Sequence, residues 1–133
     1  MTKFVTNDGK QIATSLSIDE LWENNSKVSE YKEGTDASHL IGLDYVSWSR
    51  QNKMLYHEMK LIKMRDIVES SESLKKTPVY RDVTTQAPPI DVNLLENGKY
   101  RLWNGHRRYA SAKARKEKMI FAELIHIVKV VKE

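Results

Sequence analysis

The sequence predicts a small α+β domain, a mixed sheet with helices preceded by an N-terminal helical extension. Three signals carry that prediction. Ser17-Ile18-Asp19-Glu20 is a capping box, opening a helix through about Ser29 with Leu21 and Trp22 on its apolar side. Asn97-Gly98 stands between two short strand-like runs, the pattern of a tight hairpin. A glycine-opened helix then leads into a run rich in β-branched residues.

Along the chain, the start before Ser17 is polar, and Gly34 with Thr35-Asp36-Ala37-Ser38 closes the first unit. Residues 1–38 therefore form the extension and residues 39–133 the main domain. His39 to Trp48 alternates loosely and predicts a short strand. Met54 to about Ser70 predicts a helix apolar on two sides, with Leu61, Met64 and Val68 on one stripe and Leu55, Met59 and Ile62 on another. Ser71 to Gln86 is polar and predicts a loop. Pro88-Pro89-Ile90-Asp91-Val92 is a strand whose prolines mark its entry, and Tyr100-Arg101-Leu102-Trp103 is the returning strand of the hairpin. A helix from about His106 to Lys118 and a strand from Ile120 to Val131 complete the order.

A chain of 133 residues, 40% hydrophobic and 30% charged, has room for one core and the composition of a folded domain. The absence of cysteine excludes disulfides, thiolate metal sites and a cysteine nucleophile. No segment has the apolar length of a membrane span, and the first residues lack the apolar run of a secretion signal, so a cytoplasmic protein with no membrane partner is expected. Charge is unevenly placed. Residues 1–38 hold four basic and seven acidic side chains, whereas residues 99–118 hold eight basic ones against Glu117 alone. Such a basic segment is either a solvated lysine-rich face or a surface for a polyanion or nucleotide phosphate.

The junction Asn104-Gly105-His106-Arg107-Arg108 separates these possibilities. A helix N-terminus presents free N–H groups and the positive end of the helix dipole, and glycine lets an anion approach the backbone. Cations at that end are unfavourable by about 0.3–1 kcal/mol each unless an anion compensates. Arg107 and Arg108 also have the forked geometry that matches phosphate oxygens. Pairing with Asp91 or Glu96 is the structural alternative.

Pro88-Pro89-Ile90-Asp91-Val92, Gly98-Lys99-Tyr100 and Gly105-His106-Arg107-Arg108-Tyr109-Ala110, in that order, resemble the core of the ParB/sulfiredoxin superfamily. The resemblance implies that Gly105, Arg107 and Arg108 hold the phosphates of a nucleoside triphosphate, ATP or CTP, with Mg²⁺, and Asn104 and His106 beside them are further phosphate-binding candidates. Arg50 stands where ParB-like proteins often place a further phosphate-binding arginine; the alternative is a solvated loop residue. His106 occupies the position of the sulfiredoxin cysteine, so sulfinic-acid reduction is excluded. It also occupies the position of the acidic loop residue through which ParB proteins help hold the metal. ParB proteins carry a helical DNA-reading segment with no counterpart up to Glu133, so centromere binding is not expected.

His106 and Asp91 are the candidate catalytic residues. His106 is a general base, a phosphate contact or a packing residue; Asp91 binds Mg²⁺ through water or pairs with an arginine. His39, His57 and His126 lack metal-ligand spacing, and His126 is expected on a solvent-facing strand surface. Trp22, Trp48 and Trp103 are expected in the core, although Trp103 is also placed to stack on a base. The expected activity is nucleoside-triphosphate binding, with hydrolysis or phosphoryl transfer as its chemistry. The alternatives are a DNA-binding or nuclease accessory protein using the same basic face, and a phage or plasmid module that binds a host protein.

Overall fold

The computed structural model describes residues 2–32, 37–68 and 89–131, and in them the chain forms a mixed eight-stranded sheet with two helices. The elements are β1 (Thr2–Thr6), β2 (Gln11–Thr14), α1 (Ile18–Ser29), β3 (Asp44–Trp48), β4 (Met54–Lys63), β5 (Ile67–Val68), β6 (Ile90–Leu94), β7 (Tyr100–Asn104), α2 (His106–Ala114) and β8 (Met119–Val130). The expected α+β class is present. The predicted loop over Ser71 to Gln86, and Pro88, lie outside the described residues.

β8 organises the sheet. Along one edge it pairs antiparallel with β4 from Lys63↔Met119 to Met54↔Val128. Along the other it pairs parallel with β6 at Ile90↔Ala122 through Val92↔Leu124, and antiparallel with β1 at Phe4↔Val130 through Thr6↔Val128. β3 extends the β4 side, and β7 and β5 extend the β6 side.

The segment from Met54 to Lys63 is therefore a strand, correcting the helix expected there. A central strand buried on both faces reads as a nearly continuous apolar run, which satisfies the helical stripe as well as the pleat. Its two ladders decide the matter. A 3-10 turn, Met64–Asp66, follows, and Ile67–Val68 is a two-residue strand. The polar N-terminus is also corrected. Residues 2–14 form a hairpin around Asn7-Asp8-Gly9, with Gly9 at φ +86°, and β1 joins the same sheet as β8. Residues 1–38 thus contribute strands as well as a helix. The strand expected from His39 begins only at Asp44, because Ser38–Leu40 is a 3-10 turn.

The α1 capping box is formed in both directions: Glu20 N donates to Ser17 Oγ at 3.1 Å, and Ser17 N donates to Glu20 Oε1 at 3.3 Å. α1 lies along β3, and its side chains Asn24 and Asn25 donate to the carbonyls of Asp44 (2.8 Å) and Val46 (2.7 Å). Two acceptors on the outer edge of the sheet are thereby satisfied, which blunts pairing with another chain.

Cross-strand partners share a face. On the first face, Ile62, Ile90, Val92, Ile120, Ala122 and Leu124 pack beneath Tyr109 and Ala112 of α2. A second cluster on that face joins Phe4, Val46, Tyr56 and Val128 to Leu21 of α1. The opposite face carries Tyr45, Met59 and Phe121 under Ala37 and Leu40. Each fully buried large side chain contributes about 1.5–3 kcal/mol through burial, so these clusters anchor both helices.

α2 ends at Ala114, four residues before the expected Lys118. The chain turns at Arg115 and Lys116, the latter at φ +59°. The tryptophan assignments are corrected in part. Trp48 and Trp103 are exposed at 59% and 47%, while Trp22 is half-buried and packs beside the second cluster.

Candidate functional site

Asp91 is the second residue of β6, and its β7 partner is Asn104, the residue before the helix loop. Asn104 Nδ2 donates to Asp91 Oδ2 at 3.0 Å, and Gly105 N donates to Asn104 Oδ1 at 2.9 Å. One side chain thus ties a carboxylate on the sheet to the backbone that opens α2.

Gly105 is the N-cap of α2, in the left-handed conformation (φ +91°), with no side-chain cap on the helix. A Cβ at this position would lie 2.8 Å from Ile90 Cγ2 and 3.0 Å from Ile90 Cα. Glycine is required twice over, by the sign of φ and by the close approach of the loop to β6. His106 and Arg108 are half-buried in the first turn, and Arg107 is exposed. Asp91, Asn104, Gly105, His106, Arg107 and Arg108 are therefore brought together, as the sequence anticipates.

Arg50 is not brought to them. It is exposed in the β3–β4 turn, past the Trp48↔Met54 pair. Met54 pairs with Val128, five positions along β8 from Glu123, or about 17 Å at ~3.4 Å per residue. Its location is that of the solvated loop arginine.

Behind Asp91 runs a polar row that sequence reasoning missed. Glu123 is the β8 partner of Asp91, and the two side chains share a hydrogen bond. His57 Nδ1 lies 2.7 Å from Glu123 Oε1, and Ser47 Oγ lies 2.6 Å from His57 Nε2. Tyr45 Oη donates to Glu123, and its ring stacks on that of His57, with centroids 4.1 Å apart and 4° between planes. Five strands, β3-β4-β8-β6-β7, contribute to this one line. These residues are scattered from 45 to 123, and only a short polar interruption inside an apolar strand, such as His57 or Glu123, signals them.

The electrostatics of the row are asymmetric. Burial, followed by the charge of Glu123, pushes Asp91 up to about 6, against the Asn104 hydrogen bond and the charge of Arg108. Burial also opposes ionisation of Glu123, but hydrogen bonds from His57 and Tyr45 outweigh it and hold its carboxyl below the usual range. Of the two neighbouring carboxyls, Asp91 is therefore the one that takes up a proton first as pH falls. Among the described residues, no buried side-chain nitrogen or oxygen lacks a hydrogen-bond partner.

The other face carries a cleft of about 520 Å³, lined in part by Lys10, Glu58, Lys60 and His126. His126 Nε2 is 3.2 Å from Glu58 Oε2, so His126 is a half-buried strand residue lining this cleft rather than one on an open surface.

The donor set does not fit a protein-ligated Mg²⁺. Among the described residues no three His, Cys, Asp or Glu side chains converge as metal ligands, and Asp91 is engaged by Asn104 and Glu123. No helix among them is long and apolar enough to cross a membrane.

No protein-family model, no curated protein and no solved structure matches the chain.

Proposed function

We propose that the chain is a cytoplasmic nucleotide-binding protein on a ParB/sulfiredoxin-type fold, holding nucleoside-triphosphate phosphates at the N-terminus of α2. The observation that carries this is the α2 opening itself. A left-handed Gly105 without a side-chain cap, pressed against Ile90, is followed at once by His106, Arg107 and Arg108. Backbone N–H groups, the helix dipole and two guanidinium groups all favour the same ligand, a multiply charged phosphate chain. Asn104 holds the loop to Asp91, so a carboxyl whose ionisation is pushed up to about 6 stands beside the place proposed for the phosphates. Asp91 is thereby suited to give or take a proton at a phosphate oxygen or an attacking hydroxyl, while Arg108 offsets its charge when it ionises.

Calorimetric titration with ATP, CTP and GTP, with wild type and Arg108→Ala, tests the proposal. Wild type should bind at least one of the three. The variant should lose about a hundredfold or more in affinity, since a charge-assisted hydrogen bond contributes about 1.5–3 kcal/mol and tenfold is about 1.4 kcal/mol. If the variant binds as well as wild type but melts lower, Arg108 is a structural partner of Asp91 and the phosphate site is lost as an explanation.

A further inference from the structure

Ser47, His57 and Glu123 stand in a different relation from the phosphate loop. Ser47 Oγ is 2.6 Å from one ring nitrogen of His57, and Glu123 Oε1 is 2.7 Å from the other. Hydrogen-bonding chemistry assigns the directions. An ionised carboxylate only accepts, so His57 Nδ1 carries the proton and donates it to Glu123. In the neutral imidazole Nε2 is then the acceptor, and the Ser47 hydroxyl donates to it. This is the arrangement in which an imidazole removes a serine proton while a carboxylate fixes its tautomer and stabilises the imidazolium formed.

The surroundings hold that alignment. His57 and Glu123 side chains are only 8% and 14% exposed, so their attraction is little screened. The stacked Tyr45 ring sets the plane of the imidazole, and the Tyr45 hydroxyl, donating to Glu123, keeps the carboxylate from turning away. Ser47 itself is half-buried, one residue before the end of β3.

We propose that Ser47 is an activated nucleophile, aligned by His57 and Glu123, that takes the acyl group of a small carboxylic ester. Ser47 Oγ forms a bond to the carbonyl carbon as its proton passes to His57 Nε2. The carbon–alkoxide bond then breaks and the leaving oxygen takes that proton. Water attacks the acyl-serine, gives a proton through His57 to Ser47 Oγ, and a carboxylic acid departs. Ser47 lies on β3 and Asn104 on β7, four strand spacings apart or about 19 Å at ~4.8 Å each. The reacting atoms of the two sites are thus far apart, although Glu123 and Asp91 join them through one hydrogen bond, and the labelling of Ser47 is read without any nucleotide.

Diisopropyl fluorophosphate tests it on the full chain, with adducts mapped by tandem mass spectrometry. The probe forms a Ser47 O–P bond, expels fluoride and leaves the serine proton on His57. Labelling of Ser47 is expected in wild type, at least tenfold slower in His57→Gln and Glu123→Gln, and absent at that peptide in Ser47→Ala. Thermal melts of the same samples confirm that each variant is folded at the labelling temperature. Wild type left unlabelled at Ser47 under conditions that saturate a serine-esterase control overturns the proposal without any variant. Equal labelling in folded His57→Gln overturns it as well, because the serine then owes nothing to the imidazole.

Discussion

Asn104 stands opposite Asp91 on the β6–β7 ladder and bonds in two directions, to the Asp91 carboxylate and to the Gly105 N–H. The junction between sheet and helix is therefore also the junction between the buried polar row and the phosphate loop. Anything that moves Asp91 is felt at the start of α2, and the first two of three measurable expectations follow from that link.

The first concerns pH. An unfolded Asp ionises near 3.9, whereas Asp91 in the fold does so at about 6. Below about pH 4 it is protonated in both states and costs nothing. As pH rises from about 4 to about 6 the unfolded chain releases that proton first, so stability falls, and the loss is complete above the folded value. Asp91→Asn removes this dependence. The variant should melt higher than wild type at pH 8, with the gap closing towards pH 4. Identical melting curves at pH 8 would show that Asp91 is ionised there without penalty.

Gly105→Ala is the second. A Cβ at φ +91° is strained, and here it also meets Ile90, which is fully buried under α2. Strain of this kind costs about 1–3 kcal/mol, so the melting temperature should drop by several degrees. Gly9→Ala is the control, because its φ of +86° is similar but nothing lies within 4 Å of its Cβ. Equal losses in the two variants would mean that the contact with β6 adds nothing.

The third concerns nucleic acid. Of the eight cations between Lys99 and Lys118, Lys99, Arg101, Arg107, Lys113, Lys116 and Lys118 are exposed, while Arg115 pairs with Glu117 at 3.1 Å. Duplex DNA should bind weakly and without sequence preference. Engagement of three or four phosphates would reduce affinity about 40- to 150-fold between about 50 and about 200 mM salt. Fluorescence anisotropy that stays constant over that range would rule out a backbone-phosphate surface.

Local signals in the sequence determined much of the second half of the fold. The Asn97-Gly98 hairpin, the strand at Ile90, the glycine that opens α2 and the final strand all follow from short-range chemistry: turn residues, a capped or uncapped helix start, and β-branched runs. The capping box of α1 is of the same kind. Those signals also placed Asp91 and the Asn104–Arg108 loop in one neighbourhood, because hairpin and loop lie close in the chain. Tertiary structure alone decided the rest. Met54 to Lys63 became a strand because β3 and β8 offer two ladders, a fact that no window of neighbouring residues contains. The hairpin at Asn7-Asp8-Gly9 had its turn signal, but joining the sheet required the far end of β8. The row from Ser47 through His57 and Glu123 to Asp91 exists only through register, since a slip of one residue would turn each side chain to the opposite face. Residues far apart in sequence meet across a sheet through strand pairing, and pairing is settled by the burial of whole faces rather than by any residue's own preference.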